Sequence, residues 1–261
     1  MPAQLLAIDV GNTHTLAGFF AGDELTEHWR VATQAHATAD QLAAVYSSLL
    51  SLGGLAFGQV DRVIVSSVVP PLVGQYELLS SRYMDTEAIV VGPGLRTGLP
   101  ILTNNPHEVG ADRIVNAVAA IEELGGGPCV VVDFGTATTF DAISGAGEYL
   151  GGAISPGVEV SLEALTARAA RLSGVDLCPP ESVIGKTTAA SLCSGVVMGF
   201  AGLVDGIVTR MREELGGEEV ETLATGGFAE LIVPHARTLS RIDSLLTLKG
   251  LKLVHKRNEK N

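Results

Sequence analysis

Cysteine is scarce in this chain. There are three in 261 residues, Cys129, Cys178 and Cys193, with no Cys-x-x-Cys pair and no histidines clustered beside them. That argues against a zinc site or a disulfide framework and leaves buried, reduced thiols as the reading. Positive charge is short too, with 17 Lys and Arg against 29 Asp and Glu, a net charge of −12. A general nucleic-acid binder needs basic surface to displace counterions, so that class is set aside. A phosphorylated small molecule is not, because Mg²⁺ and backbone N–H groups can meet its charge locally. No basic leader and cleavage site precede the first strand. No apolar run reaches about 18 residues without a charge or polar break. These absences point to a cytoplasmic protein without a membrane partner.

What the chain has in quantity is apolar residues and glycine. A hydrophobic fraction of 46% and 31 glycines suit an α/β protein with a real core, arranged as one large domain or two modest ones. Strands are expected at 4–10 and 16–20, joined by the turn "DVGNTHT". A polar stretch then leads to "TADQLAAVYSSLLSLGG", where Leu42, Val45, Leu49 and Leu52 recur at helical spacing. Residues 63–66 read as a buried strand ending in a Pro-Pro turn that starts a helix, and "EAIVVGPG" holds a short strand. "ADRIVNAVAAIEEL" is a helix closed by "GGGP" at 125–128.

After that break the pattern restarts. Strand 129–134, an acidic turn and strand 138–143 precede the glycine-rich "GEYLGGAISPG" and the helix "VSLEALTARAARL". A long apolar helix over about 188–215, a short strand "ETLATGG" and the basic, solvated end "KLVHKRNEKN" follow. The repeat concerns whole domains. Two α/β domains are expected, 1–122 and 128–261, hinged near 119–128.

The two acidic turns carry the chemistry. In "LLAIDVGNTHTLAGFF" and "CVVVDFGTATTFDAIS" an apolar strand ends in Asp-x-Gly followed by hydroxyl residues. The glycine lets backbone approach a ligand. Thr13, Thr15, Thr136, Thr138 and Thr139 offer donors to phosphate oxygens, and Asp9 and Asp133 can hold a cation directly or through water. Either turn alone could be an ordinary β-hairpin. Two copies, each opening a domain, argue for two halves of one phosphate clamp. Other nucleotide motifs fail: "VIGKTT" lacks the first Walker glycine, which would fall on Pro180, and "GAGEYLGG" has its third glycine one position late.

Paired "DVGNT" and "DFGTATT" resemble the phosphate loops of the acetate kinase, sugar kinase, Hsc-type chaperone and actin superfamily. The resemblance implies duplicated ribonuclease-H-like (actin-like) domains with ATP in an interdomain cleft. "LATGGFAELI" resembles that superfamily's adenosine loop, with Gly226 and Gly227 against the base. "NPHEVGADR" narrows the reading. On its own, "GADR" offers a carboxylate that can accept a hydroxyl proton beside a guanidinium that can hold an anion. A helix-capping Asp next to a surface Arg is the bland alternative. In context the string is similar to the signature of type III pantothenate kinases, and "DVGNT", "DFGTATTFD", "GGAISPG", "IGKTTAASLCSG" and "ATGG" fall in that family's order from residue 5 to about 250.

By that resemblance the activity is ATP-dependent phosphorylation of pantothenate, the first step towards coenzyme A. Asp112 is implied as the general base. Asp9, Val10, Gly11, Asn12, Thr13, His14, Thr15 and Leu16 form the first ATP loop, with Asp9 organising Mg²⁺. Asp133 maps to the aspartate for a monovalent cation, K⁺ or NH₄⁺, and Thr136 to an ATP contact. Gly110, Ala111, Asp112 and Arg113 line the pantothenate pocket. Thr188 matches a threonine supplied to the pocket of a partner subunit, which implies a homodimer. The chain departs from the family at Thr103, where a tyrosine is frequent, and at Thr187, where Asn is usual. His14 reads as an exposed loop residue, His107 as structural and Trp29 as packing. The rivals are another small-molecule kinase or phosphatase of the superfamily, and a non-catalytic regulator that kept the fold.

Overall fold

A computed structural model describes residues 3–169, 175–217 and 219–259. The chain divides into two compact units. The first comprises Met1–Gly98, His107–Ala119 and Thr247–Asn261, and the second Leu99–Pro106 and Ala120–Leu246. This differs from the linear division expected at 122–128 in two segments.

The first unit is built on five strands: β1 (Gln4–Val10), β2 (His14–Ala21), β3 (Glu24–Ala32), β4 (Arg62–Ser67) and β5 (Ala88–Val90). Their order is β3-β2-β1-β4-β5, antiparallel from β3 to β1 and parallel from β1 to β5. Leu6, Ile8, Val10, Val63 and Val65 share one face of the sheet and meet α1 (Ala39–Leu52) and α2 (Pro70–Tyr83) through Leu42, Tyr46, Leu50, Leu72, Tyr76 and Leu79. Each helix starts on a recognisable signal. Thr38 caps α1 by accepting the Gln41 N–H while Gln41 reaches back, a reciprocal pair worth about 1 kcal/mol. Pro70 and Pro71 occupy the first turn of α2, where a missing N–H costs nothing. Trp29, on β3, packs against this core.

Two further helices, α3 (Ala111–Glu123) and a C-terminal one over Leu246–Asn258, meet in the same unit. Thr247 donates to the Asn116 side chain at 2.8 Å, both buried. Gly250 sits on Val115, where a Cβ would run into the Val115 carbonyl. Leu248 lies against Gly18 of β2, whose missing side chain leaves it room. Val254 and His255 are buried together with Leu246, Leu248 and Leu251, so the expected solvated end is a helix with one packed face. Lys256, Arg257 and Glu259 after them are exposed.

The second unit repeats the plan. Strands β6 (Cys129–Phe134), β7 (Ala137–Ile143), β8 (Tyr149–Pro156) and β9 (Glu221–Thr225) take the order β8-β7-β6-β9, again antiparallel until the last, parallel pair. A parallel bridge from Ala224 to Ile242 stands where a fifth strand would. The same strand order twice is the duplicated ribonuclease-H-like architecture. Residues 99–106 belong here because Tyr149 of β8 exchanges backbone hydrogen bonds with Pro100 and Leu102, each 2.8 Å. Helix α4 (Val158–Arg168) follows β8; the end of the helix expected to run past residue 169 lies outside the described residues.

Helix α5 (Thr188–Leu215) buries Val197, Phe200, Ala201, Val204 and Val208 against Val130, Val132 and Phe140. Among the described residues it is the one helix long and apolar enough to cross a membrane by length and composition. Its buried stripe accounts for that apolarity within the second core. A short helix, α6 (Ala229–Ile232), closes the unit, and the C-terminal helix of the first unit is α7.

Candidate active site

In the first unit the acidic turn is a tight hairpin. Asp9 pairs with Leu16 and Val10 with Thr15, leaving Gly11, Asn12 and Thr13 as the turn. Gly11 donates to the His14 carbonyl at 3.1 Å, and a Cβ there would lie 2.8 Å from that oxygen. Asn12 and Thr13 are exposed and Asp9 is half-buried. Val10 and Thr15 are buried, so their side chains face the core and their backbone alone can meet a ligand. Leu16, half-buried, is likewise held in the ladder.

His14 is not a free loop residue. It opens β2, half-buried, with Nδ1 3.0 Å from Nη2 of Arg30 on β3. The Thr15 hydroxyl meets that of Thr33 at 2.8 Å and also the Tyr76 phenol, which in turn accepts from Tyr46. This buried polar chain ties the hairpin to α1 and α2. Burial pushes both phenols above their ordinary value, which keeps them neutral. Sequence reading missed the chain because tyrosines at helical spacing look like plain core. It also missed Ser66, the parallel register partner of Asp9, whose buried hydroxyl has no partner. The "SS" closing β4 was the available signal.

The second candidate group in this unit lies at the start of α3. Gly110 provides the carbonyl that accepts the Ile114 N–H, and Ala111, Asp112 and Arg113 form the first turn, all half-buried. Oδ1 of Asp112 accepts the Arg113 N–H at 2.8 Å. A Cβ at Gly110 would collide with that oxygen, so the glycine makes room for the carboxylate. Burial pushes the Asp112 carboxyl above its usual range, while the Arg113 N–H, the Arg113 charge and its own N–H pull it part of the way back. A carboxylate so placed is a stronger proton acceptor than one in water. His107 lies exposed in the one-turn helix before it.

In the second unit Asp133 stands one residue before the end of β6, half-buried, beside the turn Gly135–Thr136. Thr136 is exposed. Thr225 of β9 is the register partner of Asp133, and the next residue, Gly226, has φ +93°. A Cβ on Gly226 would sit 2.5 Å from Asp133 Oδ1 and 2.6 Å from the Phe134 backbone. The structure therefore brings the acidic turn and the Gly226–Gly227 loop together, and a side chain at 226 is excluded twice, by conformation and by space. Gly157 closes on the same turn: its N–H donates to the Thr136 carbonyl at 3.1 Å, and a Cβ would strike that carbonyl and that of Gly135.

One expected phosphate donor is otherwise engaged and another is buried. The Thr139 hydroxyl donates to buried Asp141, which also receives the Tyr149 phenol at 2.6 Å. Thr138 is wholly buried. Thr13 and Thr136 are exposed.

Thr188 is exposed at the first position of α5, and Thr187 before it caps the helix by accepting the Ala190 N–H at 3.1 Å. Asn would cap the same way, so Thr187 keeps the role of the residue it replaces. Thr103 lies half-buried in the second unit beside Gly151 of β8. One thiol expectation fails: Cys129 and Cys193 are buried, but Cys178 is exposed.

The type III pantothenate kinase family model matches residues 5–210. A type III pantothenate kinase of Streptomyces avermitilis is 49% identical over 97% of this chain and 98% of its own length. Another, of Moorella thermoacetica, is 50% identical over 97% of this chain and 99% of its own. Among solved structures, a protein of Campylobacter jejuni described as a Baf family transcriptional activator superposes with a TM-score of 0.58 at 20% identity, covering 97% of this chain and 98% of its own, a likeness of fold alone.

Proposed function

The chain belongs to the type III pantothenate kinase family, and from that premise we propose how its residues carry the reaction. The activity is ATP-dependent phosphorylation of pantothenate to 4'-phosphopantothenate, the first step of coenzyme A biosynthesis. Phosphoryl transfer asks for an aligned hydroxyl, neutralised charge and positioning more than covalent chemistry. Asp112 takes the proton of the 4'-hydroxyl as that oxygen attacks the γ-phosphorus, and ADP leaves with the electrons of the broken P–O bond. The supporting observation is the Asp112 carboxylate, fixed by the Arg113 N–H in surroundings that raise its proton affinity. Gly110, Ala111 and Arg113 form the rest of the pantothenate contact, with the guanidinium on its carboxylate.

ATP is held by the hairpin 9–16, mainly through the Gly11–Thr13 backbone and hydroxyl, and by Thr136, Gly226 and Gly227. Among the described residues no three His, Cys, Asp or Glu side chains cluster as a metal cage. Half-buried carboxylates at strand ends suit a cation held by one or two carboxylates plus substrate phosphates, as Mg²⁺ is. Asp9 serves Mg²⁺, and Asp133 serves K⁺ or NH₄⁺. Each cation supplies charge neutralisation at the phosphates.

The working form is a cytoplasmic homodimer in which Thr188 reaches the partner's pocket, with no nucleic acid or membrane involved. Support comes from the second unit, where Ile154 is 66%, Val183 67% and Ile184 80% exposed. A subunit contact would take these large apolar side chains out of water. Pantothenate-dependent ADP release with Mg²⁺, run in K⁺ and then in Na⁺ alone, tests the assignment. Turnover that needs pantothenate and K⁺ supports it. Turnover in Na⁺ equal to that in K⁺ removes the cation role, and a monomer by light scattering removes the role of Thr188.

A further inference from the structure

Residues 176–185, ahead of α5, are fastened to its first turns. The Ser194 hydroxyl donates to the Val183 carbonyl at 2.7 Å and the Ser191 hydroxyl to the Gly185 carbonyl at 3.2 Å. Gly185 lies so close to the helix that a Cβ would meet the Ser191 N–H and, at 2.6 Å, the Ala190 carbonyl carbon. The upstream fastening is made of sulfur. The buried Cys193 thiol donates to the Asp176 carbonyl at 3.5 Å, and the exposed Cys178 thiol donates to Cys193 Sγ at 3.6 Å.

We propose that Cys178 and Cys193 form a reversible disulfide on exposure to a hydroperoxide, making the root of α5 an oxidation site that locks residues 178–193 into a covalent loop. A disulfide needs the sulfurs about 1.5 Å closer than they stand, a change that side-chain torsions of the exposed partner can supply. The Cys178 thiolate attacks the peroxide, an S–O bond forms as O–O breaks, and the departing oxide takes a proton to leave as water or an alcohol. The Cys193 sulfur then attacks the Cys178 sulfenic acid, S–S forms as S–O breaks, and water leaves. The pair loses two electrons and the peroxide gains them. A dithiol reverses the change by exchange from the solvent side, through Cys178.

The division of labour follows from burial. Cys178 meets the oxidant and Cys193, 4% exposed, resolves it. Cys193 as hydrogen-bond acceptor holds the Cys178 thiol above its ordinary value, so proximity rather than thiolate activation drives closure. Cys129 takes no part, since burial pushes its thiol up to about 12. None of this depends on the substrate assigned above.

The test is native exposure to hydrogen peroxide, alkylation of free thiols in denaturant, and mass spectrometry without reductant. The expected result is a loss of about 2 Da, as two hydrogens leave, with one alkylated cysteine, Cys129. Trypsin cuts between the partners at Lys186, so their peptides should appear joined and separate on adding dithiothreitol. Cys178→Ser should show no such loss of mass. Cys178 carrying two added oxygens beside an alkylatable Cys193 would overturn the proposal, as would a link between two chains, or a mass loss that persists in Cys178→Ser.

Discussion

Replacing Gly110 by alanine tests the base assignment at a single methyl group. A Cβ at 110 overlaps Asp112 Oδ1, the same oxygen that accepts the Arg113 N–H at 2.8 Å. The obstacle is the end of a side chain, so the fold can absorb the methyl by turning the carboxylate away. Turning it gives up a charged hydrogen bond worth about 1.5–3 kcal/mol. It also moves the base by about 1 Å, a displacement that costs about a hundredfold in rate. A hundredfold is about 2.7 kcal/mol of barrier. Stability should fall too, by the lost hydrogen bond. Gly110 has no left-handed φ, and loss of glycine at the position that opens α3 costs about 1 kcal/mol, a few degrees of melting temperature. The expected variant is therefore folded, with kcat for pantothenate-dependent ADP release down about a hundredfold. A folded Gly110→Ala with kcat within twofold of the parent would refute the reasoning: either the proton does not pass to Asp112 or its orientation does not matter.

Asp112→Asn should cost about 10²–10⁴-fold in kcat while raising the melting temperature at neutral pH. The sign follows from the shift: a carboxyl lifted above 3.8 by burial stabilises the fold in acid, and that contribution is lost as pH rises through the folded value, so the variant gains on wild type as pH climbs above 3.8. The same lift puts the acid limb of the wild-type rate profile above pH 3.8, and a limb at or below it would remove burial as the cause. Gly226→Ala should unfold at markedly lower temperature, since left-handed backbone costs about 1–2 kcal/mol and forced crowding about 1–3 more; an unchanged denaturant midpoint would contradict the contact with Asp133 and Phe134. Thr187→Ala should lose about 1 kcal/mol in urea titration and Thr187→Asn almost nothing, whereas equal losses would deny the capping role.

Where sequence and structure agree, a local pattern had a local cause. The two Asp-x-Gly turns were legible because an apolar strand, a tight turn and a second strand are all short-range features, and both hairpins stand at those positions. Edge strands were harder to read. Glu24–Ala32 looked like a polar stretch because alternate residues of an outer strand meet water, and Tyr149–Pro156 looked like a glycine loop because an edge tolerates glycine. The tail 252–261 looked solvated because its charges are contiguous in sequence, while Val254 and His255 turn inward once helical. Hydroxyl roles at Thr15 and Thr139 could not be read locally, since their partners Thr33, Tyr76 and Asp141 are chosen by the sheet and helices around them.

The placement of α7 sets an order on synthesis. Its contacts with Gly18, Val115 and Asn116 complete a core whose first strand leaves the ribosome more than two hundred residues earlier. The second unit can therefore close on its own segments while the first still waits for its last helix, reversing the usual N-terminal-first sequence of domain folding. Until α7 arrives, the β2 surface around Gly18 and the Val115 turn of α3 lack the helix that covers them.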